Sequence, residues 1–462
     1  FYNHIYPTRT WQGLGSGGFR DANRYGYDIF GEESDDQDWR NEAKNPIDLA
    51  FYLQDRMEWQ GLIITAGLRF DYFDYKTDRL KNPDLPMDPD SLQYDGNPGN
   101  DDLAFSLEQD DLEASEKFTR VSPRLGISFP VSDRTQMRVS YGKFFQRPDL
   151  QNLYVGYDFL EYQVQGLSGY FTTWGNPNLE PPKTTAYEVG ITHQLADNTS
   201  FDMNAFYRDV TDLIQVSTNG VVNTFYNQDY GTIKGLEFNL RLRRTNHVAA
   251  DLKYTLSFAK GTGSFNNENR NVAWVNSEPP KHPTALEYDQ RHSIVGNVDI
   301  RFGQNEGPKL GDFYVLEDFG LNVLVNASSG LPYTPVAINN EAVSAATAPT
   351  PVDVRNSRYR PWNFTVDLKM ERAFRIGEYK ITPYLWVKNL LDRDNVVNVW
   401  EGTGKANTTG WLETPAGQAF VEEYPTADAS GLNGEQKYNI AQQDATYYST
   451  PRQILFGLRA SF

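Results

Sequence analysis

About thirteen segments of this chain repeat one pattern, apolar residues at every second position with polar or charged residues between them. A period of two belongs to a β-strand with two unlike faces. The last eleven residues, Arg452 to Phe462 (RQILFGLRASF), show it plainly: Ile454, Phe456, Leu458, Ala460 and Phe462 alternate with Gln453, Leu455, Gly457, Arg459 and Ser461. Ile47, Leu49, Phe51 and Leu53 form the first such face, and Leu62, Ile64, Ala66, Leu68, Phe70 and Tyr72 the next. Further faces are Leu125/Ile127/Phe129, Met137/Val139/Tyr141, Tyr187/Val189/Ile191, Phe201/Met203/Ala205/Tyr207, Leu236/Phe238/Leu240/Leu242 and Leu252/Tyr254/Leu256/Phe258. Ile294/Val298/Ile300/Phe302, Leu321/Val323/Val325, Phe364/Val366/Leu368/Met370 and Ile381/Leu385/Val387 precede the terminal segment.

The opposite faces decide what surrounds these strands. They carry Arg69, Arg138, Glu188, Asp202, Arg208, Glu237, Arg241, Asp251, Asp299, Arg301 and Asp367, among others. So many charges in a dry core would cost more than folding could recover. In a water-filled or polar-plugged lumen they cost little, while the apolar face meets lipid. The pattern therefore predicts an all-β, transmembrane antiparallel β-barrel.

Composition agrees. Apolar residues are 39% of the 462, and no run reaches the roughly 18 consecutive apolar residues of a spanning helix. Aromatic residues reach 14%, as expected of a barrel with ring girdles at both interfaces. The absence of cysteine excludes disulfides and thiolate metal sites. A net charge of −18 argues against a nucleic-acid phosphate binder. No basic-then-apolar leader opens the chain, so the sequence reads as processed or incomplete.

Connections alternate between short and long. Gln60-Gly61, Val131 to Arg134, Ala196 to Thr199, Arg244 to His247 and Arg375 to Glu378 are short; Gly303 to Asp318 is longer than its peers. Lys76 to Phe118, Gln146 to Thr184, Asp209 to Thr232, Ala259 to Arg291, Ser329 to Pro361 and Asn389 to Pro451 are long. Short periplasmic turns and long extracellular loops are the habit of outer-membrane barrels. Residues 1–46 then form an extracellular loop before the first strand, and 47–462 form barrel. Single-chain bacterial barrels have an even number of strands, so an odd count predicts the C-terminal portion of a larger one.

Several segments resemble TonB-dependent outer-membrane receptors. Gly175 to Gly190 (GNPNLEPPKTTAYEVG) is similar to the family's NPxLxPE…YExG segment, with Pro182 in place of the usual Glu. Asn227 to Glu237 (NQDYGTIKGLE), Asn389 to Asp392 (NLLD) and the PRQILFGLRASF end match family habits in the same order. Ser329 to Pro335 (SGLPYTP) and Asp392 to Gly402 resemble the Oar-like and SusC-like branches. The resemblance implies a plugged barrel of about 22 strands in the outer membrane of a Gram-negative bacterium. It implies import of a bulky nutrient (iron chelate, oligosaccharide or peptide), with coupling to the TonB complex through an N-terminal plug absent from this sequence. It also implies that Ile454, Phe456, Leu458 and Phe462 form the signal read by the barrel-assembly machinery.

No catalytic constellation accompanies these motifs. His4, His193, His247, His282 and His292 show no metal-ligand spacing, and no GxSxG elbow is present, so the reading is not an enzyme. No cofactor is implied, although the acidic runs Glu32 to Asp38 and Asp101 to Asp111 offer carboxylates that suit loop-bound Ca²⁺ or its bridging to lipopolysaccharide. Tyr154, Tyr157, Tyr162, Tyr170, Trp174, Trp274, Trp400 and Trp411 crowd the long loops. Such rings stack on a ligand or pack loop on loop. Arg69, Arg138, Arg208, Arg241 and Arg301 face the lumen, to contact substrate or to pair with carboxylates of plug or wall. Outer-membrane lipid and lipopolysaccharide are the expected surroundings. The alternatives are a docking barrel that scaffolds a surface lipoprotein or secretion assembly, and a passive porin.

Overall fold

The computed structural model describes residues 44–81, 107, 109–157, 160, 173–217, 223–268, 282–343 and 349–461. One antiparallel meander dominates it, with each strand paired to the next in sequence. The strands are β1 (Ile47–Trp59), β2 (Leu62–Asp74), β3 (Lys117–Ser132), β4 (Thr135–Phe145), β5 (Lys183–Ala196), β6 (Thr199–Ser217) and β7 (Asn223–Thr245). They continue as β8 (Val248–Gly261), β9 (His292–Arg301), β10 (Phe319–Ser328), β11 (Asn363–Arg372), β12 (Tyr379–Lys388) and β13 (Gln453–Ser461). These coincide with the thirteen alternating segments. Among the described residues β1 pairs only with β2, and β13 only with β12.

The register keeps like faces together. Met137, Ile191 and Met203 lie on one line across β4, β5 and β6, and Arg138, Gly190 and Asn204 on the next. The apolar face is left bare by the protein itself: Phe51 is 70% exposed, Leu68 57% and Phe456 80%. Lipid is the medium that makes such a face stable. No described helix is long and apolar enough to cross a membrane.

Tight turns close the short connections. Gln60 and Gly61 both have positive φ (48° and 84°), as do Asn246 and His247 (47° and 76°). That pair of left-handed residues matches the twist of a two-residue hairpin. The Gly303 to Asp318 connection is longer because it folds a small hairpin of its own, Lys309–Leu310 against Phe313–Tyr314.

Two expectations are corrected. Asp209 to Thr232 is not a long loop, because β6 runs on to Ser217 and β7 begins at Asn223. Bulges between Asn227 and Asp229, and again between Asp229 and Gly231, each break the period-two count. The Asn389 to Pro451 loop also contains two helices, α1 (Pro415–Glu423) and α2 (Gly434–Ala441). Thr414 caps α1 with Pro415 in its first turn, and Asn433 with Gln436 forms a capping box on α2. Residues 1–43 of the predicted 1–46 loop, and the terminal Phe462, lie outside the described residues.

Ile191 sits midway along β5 between Met137 and Met203. Replacing it with Arg places a charge near the bilayer midplane and should cost about 2–4 kcal/mol. Denaturant unfolding of the lipid-reconstituted protein measures this; an unchanged midpoint would place Ile191 off the lipid face.

Candidate functional site

With lipid on one face of the sheet and charge on the other, the buried apolar core is found at the loop ends of the strands and among the long loops. Leu80, Leu107, Leu112, Val155, Tyr157, Leu160 and Trp174 form one cluster. Phe73, Tyr75, Phe118, Leu153, Tyr154, Leu179, Val216 and Phe225 form another. Tyr154, Tyr157 and Trp174, predicted as ligand contacts, are thus interior rings, 4%, 1% and 4% exposed. The Tyr157 hydroxyl donates to the Asp78 carbonyl (2.8 Å) and that of Tyr154 to the Tyr75 carbonyl (3.0 Å). Burial pushes the Tyr75, Tyr154 and Tyr157 phenols well above their ordinary value. Tyr162, Tyr170 and Trp274 lie outside the described residues.

The sequence motifs supply the joints of this core. Leu179 is the apolar plug of the second cluster. Asn176 donates its side-chain amide to the Phe225 carbonyl (2.8 Å) and accepts the Asn178 N–H (2.9 Å). Gly175 passes so close to Tyr154 that a Cβ there would lie 2.2 Å from its carbonyl oxygen. The Gly175 to Gly190 and Asn227 to Glu237 motifs dock on one another through Asn227. Its side chain accepts the Glu180 N–H (2.9 Å) and donates to the carbonyls of Glu180 (2.9 Å) and Asp212 (2.7 Å).

A buried polar network ties the remaining loops together. Asp229 accepts from Gln215 (2.8 Å) and Thr262 (2.8 Å), and Gln215 also donates to the Phe265 carbonyl (3.0 Å). Glu268 pairs with Arg355, both side chains largely buried. Asp289 accepts from the Ala259 N–H (2.8 Å), Arg291 (2.9 Å) and the Tyr359 hydroxyl (2.7 Å). Burial, and then the Asp289 carboxylate, pushes the Tyr359 phenol up to about 12. Sequence reasoning missed these residues; the only signal was charge at strand ends where the alternation fails.

The last long loop forms a separate aromatic packing. Trp411 lies against Tyr438 (4.7 Å) and Phe420 (5.4 Å), and Trp400 against Tyr447 (4.9 Å). Trp400 donates its indole N–H to the Gln442 carbonyl (3.1 Å). Both tryptophans keep part of their surface open, unlike Tyr154, Tyr157 and Trp174. Beside them Glu401 and Glu341 are held above the ordinary carboxylate range, Glu401 by burial and then by the Glu341 charge, Glu341 by burial. The NLLD segment anchors this loop: Asn389 donates its N–H to Asp367 (2.9 Å), and Asp392 accepts the Arg452 N–H (3.1 Å).

Below the loops, the predicted arginines lie on the charged face and four of the five pair with carboxylates. Arg69 bonds Asp71 (2.8 Å), Arg208 meets Glu188 (3.4 Å) and Arg241 meets Asp251 (3.1 Å). Arg301 bridges Asp299 (2.9 Å) and Glu371 (3.5 Å). Arg138 lies flat over Gly190, where a Cβ would come within 2.6 Å of its Nε, and reaches Thr192 (3.4 Å). Arg124, Glu188 and Arg208 line a recess of about 550 Å³ in this wall, with Gly67, Gly126 and Gly142 leaving it open. Among the described residues no group of three or more His, Cys, Asp or Glu converges as a metal site. Asp110 and Asp111 are the described members of the second acidic run, and Ile454, Phe456 and Leu458 stand exposed on the apolar face of β13.

A membrane-spanning meander with a wet, ion-paired wall and ordered outer loops defines an outer-membrane β-barrel. Residues 2–390 match the family model described as TonB dependent receptor-like, beta-barrel, and the chain belongs to that family. The family is one of outer-membrane proteins of Gram-negative bacteria, transporters rather than enzymes. Among solved structures, the chain is similar to the ferric-catecholate import receptor Fiu from K12 E. coli (12% identity, 78% of this chain and 43% of that one, TM-score 0.46). It is also similar to the outer membrane transporter YddB from Escherichia coli (11%, 90% and 45%, 0.48). The ferric yersiniabactin uptake receptor FyuA from Yersinia pestis is a third (12%, 77% and 42%, 0.45). The chain thus spans less than half the length of these structures. No curated protein matches it.

Two measurements check the loop architecture. Asn227→Ala removes three hydrogen bonds, each worth about 0.5–1.5 kcal/mol, and should speed hydrogen exchange at the Glu180 amide at least tenfold; unchanged protection would show that the motifs do not hold each other. Because Glu401 and Glu341 titrate above their unfolded value of 4.5, their contribution to stability is complete below that pH and lost as pH rises through the raised values. Proteolysis of the Asn389 to Pro451 loop should therefore quicken as pH climbs from about 4.5 to neutrality, and Glu401→Gln should flatten the profile. An identical profile in the variant would contradict the assignment.

Proposed function

We propose that this chain forms the lipid-facing wall and the ligand-recognition vestibule of a receptor that imports a bulky nutrient across the outer membrane. The observation that carries the reading is where the molecule buries its side chains. Two apolar clusters and a buried polar network fix the extracellular loops, while the wall beneath them is wet and charged. Ordered loops of this kind preorganise a binding surface; a sieving pore has no need of one. Among the described residues, Trp400 and Trp411 are the aromatic candidates with surface open to a ligand, and Tyr154, Tyr157 and Trp174 would meet one only if their loop opened.

In this reading the bore is closed by a plug, and the TonB complex supplies the energy that moves it. The paired arginines Arg69, Arg208, Arg241 and Arg301 keep the wall electrostatically quiet, and Arg138 offers its guanidinium face to the plug or to passing ligand. Ser329 to Pro335 supports placement in the Oar-like or SusC-like branch, where a surface lipoprotein partner fits. Gly330 of that segment lies so near Arg360 that a Cβ would come within 2.1 Å of its carbonyl oxygen. Iron chelate, oligosaccharide and peptide are the ligand classes.

A deletion strain should grow poorly when one of these three nutrients is limiting, and loss of TonB should reproduce the defect without adding to it. The purified protein should pass no steady ion current in planar bilayers. Normal growth on all three, or a large TonB-independent current, would contradict the reading.

A further inference from the structure

The apolar face of β4, β5 and β6 ends, toward the long loops, in a row of rings. Tyr141, Tyr187 and Tyr207 share one register line, with centroids 5.2 and 6.2 Å apart. Tyr187 and Tyr207 stand about ten residues from the turn at Asp197–Asn198, the length a tilted strand uses to span hydrocarbon. Tyrosine belongs at that height, ring in the acyl boundary and hydroxyl among the headgroups.

Lysines follow the rings on the same face. Lys143 and Thr185 are paired one step further out, with Asp209 and Thr232 continuing the line and Lys260 opposite Thr232. Lys183 stands another step out on β5, and Lys234 flanks Tyr207 from β7. The protein answers this charge only in part. Lys183 approaches Asp212 at 3.9 Å, and Asp209 is the other carboxylate nearby. Among the described residues Lys143, Lys234 and Lys260 form no ion pair. Four ammonium groups against two carboxylates make a local positive field on a chain whose net charge is −18.

The three tyrosines, Lys143, Lys183 and Asp209 line a recess of about 460 Å³ that opens on this outer face. It points away from the charged wall and is separate from the vestibule. A cation on the lipid side of a barrel, just beyond the ring row, meets headgroups. Unanswered lysines at that height select anionic ones.

We propose that this recess is a binding site for the phosphorylated glucosamine headgroup of an outer-leaflet glycolipid, lipid A. Phosphate would sit among the Lys143 and Lys183 ammonium groups, with Lys234 and Lys260 adding to the field. The tyrosine faces would carry the sugar and the first acyl carbons, and Asp209 and Thr185 would meet sugar hydroxyls.

The test uses the native protein extracted from outer membranes in mild detergent, titrated with bisphosphorylated lipid A and with the same lipid stripped of both phosphates. Bound lipid is counted by native mass spectrometry. The wild type should prefer the phosphorylated lipid by roughly tenfold or more. The double substitution Lys143→Gln/Lys183→Gln should abolish that preference, with binding of the stripped lipid and heat-modifiable gel mobility unchanged. Lys253→Gln, on the opposite face, should leave the preference intact. Equal binding of the two lipids by the wild type would overturn the proposal, and that comparison decides even if the double variant fails to fold. Full displacement by millimolar inorganic phosphate would also overturn it, by marking a free-anion site.

Discussion

In a bilayer no water is available to a bare backbone N–H or C=O, and each unpaired group costs several kcal/mol. That constraint organises this molecule. Every strand from β2 to β12 is paired on both sides, so the polar main chain is hidden inside the ladder and the side chains are free to differ across it. One face can be wholly apolar because lipid is its solvent. The other can be wholly polar because it never has to be dry. A soluble sheet with the same strands would strand either the exposed Phe51 and Phe456 or the arginines opposite them.

Stability that a soluble protein keeps in its centre is therefore moved to the loops. The clusters around Tyr157 and around Tyr154 and Leu179 are the closest thing to a hydrophobic core, and they sit at the loop ends of the strands. The family motifs acquire a physical reading from this. Asn176, Leu179 and Asn227 hold the long-loop ends of β5, β6 and β7 in one packed unit. Asn389 and Asp392 tie the last loop to β11 and β13. What is packed is the long-loop end of the barrel, the end that the proposed function makes a ligand entrance.

How much of this was legible follows from how local each feature is. Alternation is a property of consecutive residues, and all thirteen strands were visible in it. The faces of Arg69, Arg138, Arg208, Arg241 and Arg301 followed from the same count. The extensions of β6 and β7 were lost because two bulges, one on either side of Asp229, interrupt the period-two alternation there. Helices α1 and α2 carried signals, Thr414 before Pro415 and the Asn433–Gln436 capping box, but they are short and lie within a loop of weak periodicity. The aromatic residues were ambiguous in principle, since a tyrosine that packs loops and one that grips a ligand have the same sequence signature; only burial separates Tyr157 from Trp411. The network of Gln215, Asp229, Glu268 and Arg355 had no local signature, because it exists only once separate loops converge.

The central claim is that the two faces of each strand see two different solvents. The sequence contains no cysteine, so single cysteines on β5 report without background. Fluorophores placed at positions 189 and 191 should be quenched by brominated lipid and protected from a water-soluble quencher, and those at 188 and 192 should show the reverse. Quenching that does not alternate along β5, or that alternates with the opposite phase, would contradict the account.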